Sequence, residues 1–173
     1  TQTVFGEGGA HARIVFVGEQ PGDEEDRKGR PFVGPAGRLL DRALEAAGID
    51  RGLAYVTNAV KHFKWTPRGK RRIHKTPAQQ EIAACHQWLE REFEVLAPKV
   101  VVCLGRTAAQ SVLGHAVTIG AVRGKVAGHV GAAPVIVTIH PSAILRMTDD
   151  TREAGFDEFV RDLRVVAGLL ARN

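Results

Sequence analysis

The chain has 173 residues, 44% hydrophobic and 25% charged, which fits a single globular domain over residues 1–173 and excludes a disordered or fibrous protein. It holds no apolar run of 18 residues, and its opening TQTVFGEGG lacks the basic and apolar segments of a signal peptide, so the sequence predicts a cytoplasmic protein with no membrane partner. The net charge of +5 is local: Lys61, Lys64, Arg68, Lys70, Arg71, Arg72 and Lys75 lie in one stretch without an acid among them, and the remainder is mildly acidic.

In chain order, the apolar run RIVFV (13–17) predicts a first strand, and GEQPGDEEDRKGRPFVGPAG follows as a long loop rich in Gly and Pro. RLLDRALEAAG places Leu39, Leu40, Ala43, Leu44 and Ala47 on one helical face and stops at Gly48. LAYVTN (53–58) is a second strand, and the basic loop comes next. Thr76, Pro77 and Gln79 then compose a helix start with a hydroxyl cap, and that helix runs to about Leu96. KVVVCLG (99–105) is a third strand with Cys103 in the core, TAAQSVLG a short helix, and VTIGAVRGKVAGHV a hairpin with Gly turns. VIVTI (135–139) is the fourth strand, and AGFDEFVRDLRVVAGLLA closes the chain as an amphipathic helix. This alternation predicts an α/β fold, three αβα layers around a central four-stranded parallel sheet, because parallel strands need crossovers and the crossover helices cover both faces. In such a sheet the segments after the strands converge on one edge: Gly18 to Gly22, Asn58 with the basic loop, Gly105 with Arg106, and His140 with Pro141.

The basic stretch VKHFKWTPRGKRRIHKTP has the charge of a landing site for phosphate backbones, since clustered Lys and Arg release condensed counterions on binding; a solvated loop without a partner has the same composition. GEQPG forces a tight turn through Gly18, Pro21 and Gly22, with Glu19 and Asp23 available to orient a reacting group, and equally fits a plain turn with exposed acids. No Gly-Lys-Ser/Thr follows, which excludes a Walker loop. PFVGPAG sets Phe32 in a loop of Gly and Pro, either as a lid on the core or as a stacking platform for a planar base. Asn58 at a strand end either caps a turn or reads a base edge through its paired donor and acceptor. HPSAILR (140–146) offers a strand-end donor and then an apolar residue beside Arg146, the composition of a wedge that pries a base from its stack or of a helix start capped by Ser142.

Taken in order, GEQPGDEED, GRPFVGPAGRLL, YVTNAVK and HPSAILR resemble the motifs of the iron-sulfur uracil-DNA glycosylases called family 4, over nearly the whole chain. The resemblance implies a uracil-DNA glycosylase-like fold in which the base is flipped out, stacked on Phe32, read by Asn58 and faced at its carbonyl by His140. Gln20 would line the pocket through its backbone, and Ser142 to Arg146 would form the wedge. Two departures point to the UdgX branch of the superfamily: His62 stands where family 4 carries a Cys, and KRRIH (70–74) is an insertion. The hallmark of that branch is a basic loop ending in a histidine that becomes covalently joined to DNA, here His74.

The resemblance implies single-turnover excision from uracil-containing DNA, single-stranded by preference, by a monomer that releases free uracil. Breaking the glycosidic bond leaves an electron-poor C1′. A neutral imidazole of His74 close to that carbon would attack before water does, giving a protein–DNA crosslink. Arg71, Arg72 and Lys75 should disfavour the imidazolium and hold flanking phosphates together with Lys70, Ser142 and Arg146, and Arg72 is counted with the catalytic group. Glu19 is the candidate partner for the imidazole, with Asp23 as the second choice for handling water or the ring. A turnover glycosylase in which His74 touches only phosphate, and a non-catalytic nucleic-acid module, are the competing readings. The family likeness also implies a [4Fe-4S] cluster, for which His62 and Cys85 match two ligand positions and two further Cys would come from a segment before Thr1.

Overall fold

A computed structural model describes residues 1–172. The elements run β1 (Ile14–Gly18), α1 (Asp23–Lys28), α2 (Pro35–Ala46), a 3-10 turn (Arg51–Leu53), β2 (Ala54–Asn58), β3 (Trp65–Arg68), β4 (Arg71–His74) and α3 (Gln79–Leu96). The second half is β5 (Val100–Leu104), α4 (Arg106–Leu113), α5 (Ile119–Val122), β6 (Val126–Val130), β7 (Ala133–Thr138), α6 (Pro141–Leu145) and α7 (Asp149–Arg172).

The main sheet has the order β2-β1-β5-β7-β6. Its first four strands are parallel, as expected, and β6 adds a fifth, antiparallel edge strand on β7. The predicted hairpin over residues 117–130 is therefore not self-contained: Ile119–Val122 forms a helical turn and Val126–Val130 pairs forward onto the sheet. In β1 the side chains alternate between two cores. Ile14 and Phe16 join Leu40, Leu44, Phe159 and Leu163 under α2 and α7, and Val15 and Val17 join Leu89, Phe93 and Ala109 under α3 and α4. Burial on both faces makes this strand read as a continuous apolar run. Removing the fully buried Phe16 side chain would cost about 3–5 kcal/mol by the usual cavity scale.

Three local expectations change. The long Gly/Pro loop contains α1, a polar helix without apolar periodicity, whose four acids fill its first turn and whose Arg27 and Lys28 fill its last, matching the helix dipole. The start of α3 is not built from Thr76 and Gln79. Ala78 is the cap residue, and its N–H donates to Glu81 Oε2 at 2.6 Å, an ionised acceptor that also pairs with Lys64 at 2.7 Å. The basic loop is a two-stranded hairpin, β3 against β4, turning at Gly69 and Lys70 and setting Trp65 opposite His74. Among the described residues no helix is long and apolar enough to cross a membrane.

Candidate active site

The carboxyl ends of the parallel strands are tied to one another by backbone bonds. Ala59 N donates to Gly18 O (2.8 Å), Val60 N to Glu19 O (2.9 Å) and Gly105 N to Thr138 O (2.9 Å), and the Thr107 hydroxyl donates to Glu19, so the segments after β1, β2, β5 and β7 lie together along one edge, where the strand-end crevice of such a sheet falls. Gly18 makes close approach possible there: a Cβ at that position would lie 2.4 Å from Asn58 Oδ1 and 2.8 Å from Phe32 Cζ. Phe32 itself is held at φ +53°, a region that bulky residues avoid. Its carbonyl abuts Gly37 of α2, where a Cβ would sit 1.7 Å from Phe32 O. The strained ring thereby stacks near His140, with centroids 6.0 Å apart and planes inclined by 27°. Asn58 is buried, and its carbonyl accepts from Lys61 Nζ at 2.7 Å.

His140 caps α6, the task the sequence reading gave to Ser142. Its Nδ1 accepts from Ser142 N at 3.0 Å and lies 2.7 Å from Ser142 Oγ. A backbone N–H only donates, so Nδ1 is unprotonated and the neutral ring carries its proton on Nε2. Burial pushes His140 down to about 4, against a smaller upward pull from Glu19, which keeps the ring neutral near pH 7. Ser142 thus lies against His140, and Leu145 and Arg146 are exposed.

The seven expected landing charges divide by role. Lys61 is fully buried and paired with Glu92 at 2.6 Å, and Lys64 is paired with Glu81. Arg72 points inward. Its guanidinium is held by Asp23 and Asp26 and lies over the rings of Phe63 (5.2 Å) and Trp65 (5.5 Å). Asp23 is engaged by both Arg72 and Arg27. The Gln20 side chain anchors the hairpin: Oε1 accepts from Lys64 N, and Nε2 donates to Lys64 O and Lys75 O, joining both stems to the turn after β1. Arg68, Lys70, Arg71 and Lys75 are left exposed.

This anchoring delivers His74 to Glu19, with Nε2 2.9 Å from Oε1. The other carboxylate oxygen, Oε2, accepts from the Thr107 hydroxyl on the first turn of α4. Burial alone would raise the Glu19 carboxyl, but the bonds from His74 and Thr107 outweigh it and hold the group below the ordinary carboxylate range. Glu19 is therefore an ionised acceptor facing the imidazole.

His62 is exposed with Nε2 2.9 Å from Thr3 Oγ1, and the buried Cys85 thiol accepts from Lys61 N at 3.5 Å. Among the described residues no group of three or more His, Cys, Asp and Glu side chains is placed to hold a metal ion. Cys103 is sealed in β5 as expected, and burial pushes its thiol up.

The structure places Glu19, Gln20, Phe32, Asn58, His74 and His140 at one edge of the sheet, and the sequence reading passes over Thr107, Asp26 and the aromatic seat of Arg72. Thr107 had a signal, since it lies two residues beyond the end of a parallel strand. The family model described as Uracil DNA glycosylase superfamily matches residues 5–164, which include all seven strands. The chain is 46% identical over 147 residues to the Type-4 uracil-DNA glycosylase of Thermotoga maritima, covering 84% of this chain and 73% of that protein. It is 41% identical over 152 residues to the Type-4 enzyme of Archaeoglobus fulgidus, with 84% and 73% covered, and 36% identical over 172 residues to that of Pyrobaculum aerophilum, with 95% and 82% covered. Likeness of this extent, spanning every element that contributes to the crevice, makes the chain a member of the uracil-DNA glycosylase superfamily.

Proposed function

We propose that this protein excises uracil from DNA and that His74 captures the resulting deoxyribose C1′, leaving protein and DNA covalently joined. The observation that carries the reading is the pair formed by His74 and the ionised Glu19, 2.9 Å apart, on a hairpin whose stems are fastened to the strand-end crevice.

An extruded uracil fits between Phe32 and the edge of Asn58, the first supplying a π face and the second a donor and acceptor together. As the C1′–N1 bond breaks, its electron pair leaves with the uracil, and His140 Nε2–H donates to the oxygen where that negative charge gathers. A neutral donor in a dry site is worth most where charge develops. His74 then bonds to C1′ through its unprotonated ring nitrogen while the proton on the other nitrogen passes to Glu19, so the alkylated imidazole ends neutral. Exposed Lys70, Arg71 and Lys75 would hold flanking phosphates, and the short reach of a hairpin suits a single strand. Arg72 and Asp23 serve this chemistry by fixing the hairpin.

A [4Fe-4S] cluster needs four ligands, of which His62 and Cys85 would supply two near the foot of the hairpin; its contribution would be to brace that foot, and no step of the reaction runs through it. Iron and sulfide content of full-length protein, with visible absorption lost in Cys85→Ser, tests this. The function itself is tested by incubation with a single-stranded uracil oligonucleotide followed by a denaturing gel. A heat-stable shifted band supports capture. Abasic DNA without the band supports turnover hydrolysis with Glu19 holding water, and no base release at all supports a binding module.

A further inference from the structure

We infer that Thr107 is a positioning residue for this reaction: its hydroxyl fixes Glu19 Oε2 so that Oε1 alone faces His74. The inference rests on the reading of Glu19 and His74 given above and assigns a third element, α4, to the same site.

The chain of contacts is short. Thr107 opens α4 directly after β5, Glu19 follows β1, and His74 ends β4. The Glu19 carboxylate joins the three, receiving Thr107 Oγ1 on one oxygen and His74 Nε2 on the other. The His74 side chain is about half exposed (50%), so packing does little to hold the ring, and the carboxylate that grips it must itself be fixed. Glu19 is more enclosed, at 23%, and loses water as an alternative partner for Oε2. A hydroxyl carries one proton, and Thr107 gives it to Glu19, which turns the carboxyl plane and leaves Oε1 for the imidazole. The ionisable groups that face Glu19 are His74 from β4 and His140 from the junction before α6. Thr107 acts on both its orientation and its charge, because a hydrogen bond to the ionised form favours that form.

Thr107→Val keeps the volume and removes the donor, and Thr107→Ser keeps the donor and removes the methyl. The measurement is the single-turnover rate of crosslink formation against pH on a saturating single-stranded uracil oligonucleotide, with thermal unfolding as a check on folding. Thr107→Val should slow capture on the order of tenfold, the worth of one hydrogen bond to a charged group. Its acid limb should move to higher pH, because Glu19 loses a bond that stabilises its ionised form. Thr107→Ser should restore both. A Thr107→Val protein with the wild-type rate and an unmoved acid limb overturns the inference, as does a Thr107→Ser protein that behaves like Thr107→Val. If wild-type protein releases uracil with no shifted band, covalent capture falls, and the same pH comparison made on uracil release decides the role of Thr107: a moved acid limb upholds it and an unmoved one overturns it.

Discussion

Gly18→Ala is the smallest change that should disable uracil recognition while leaving the fold intact. The added Cβ would lie 2.4 Å from Asn58 Oδ1 and 2.8 Å from Phe32 Cζ, both closer than real Cβ atoms come. Phe32 has little room to give way, since its backbone at φ +53° is wedged against Gly37. Asn58 must therefore rotate, and a rotated amide no longer presents its donor and acceptor to the base edge. A bidentate base contact is worth about 1–3 kcal/mol, or about 5- to 150-fold in rate on a matched substrate. Any withdrawal of Phe32 adds a stacking loss of about 1–3 kcal/mol. Crowding also costs stability, about 1–3 kcal/mol for an added methyl in a tight site. The assay is single-turnover uracil release well below the unfolding temperature, beside thermal melts of both proteins. A Gly18→Ala protein that is folded and releases uracil within twofold of wild type would show that Asn58 and Phe32 do not read the base as described.

His140 predicts a pH dependence of stability. Its folded value of about 4 lies below the ordinary histidine value of about 6.5, so between the two the unfolded chain binds a proton that the folded chain does not. Its contribution is complete above that window and is lost as pH falls toward 4. Melting temperatures should fall over this range and fall less in His140→Gln; identical slopes would contradict a neutral ring in the folded protein. At pH 7.5 His140→Leu, which has no N–H to offer in place of Nε2–H, should lose about 10²–10³-fold in excision rate, checked by single-turnover uracil release. The exposed arginine of the hairpin predicts a salt effect: Arg71→Ala should lower the slope of log affinity against log salt by about 0.7 on single-stranded DNA, measured by fluorescence anisotropy, while an unchanged slope would remove Arg71 from the phosphate contacts. Arg72→Met should free the hairpin from Asp23 and Asp26, read as faster tryptic cleavage at Arg68 and Arg71 and a weaker crosslink. Wild-type protection in that variant would mean that the hairpin stands without its inward anchor.

The parallel sheet could be read from the sequence because β1, β5 and β7 are runs rich in β-branched residues and helical periodicity separates the strands. From that topology alone, Glu19, Asn58 and His140 fall at one edge. The hairpin was harder to see: its strands are short, polar and mostly solvated, so neither alternation nor hydrophobicity marks them, and its pairing depends on Arg72 reaching Asp26 across 46 positions. The same long-range partnership hid the division of the basic run, since nothing local separates Lys61, buried under Asn58, from Lys70, exposed at the turn. β6 went unassigned as a sheet strand because its pattern fits a local hairpin as well as an edge. Thr107 was passed over because a Thr near a helix start reads as a capping residue, and only the fold brings Glu19 to it.

Mapping the site of DNA attachment decides whether His74 is the nucleophile. Wild-type protein incubated with a uracil oligonucleotide, digested with nuclease and trypsin and analysed by mass spectrometry should carry a deoxyribose-linked nucleotide on His74, and His74→Gly should instead release abasic DNA. An unmodified His74 beside abasic product, or the nucleotide found on another residue, would contradict it.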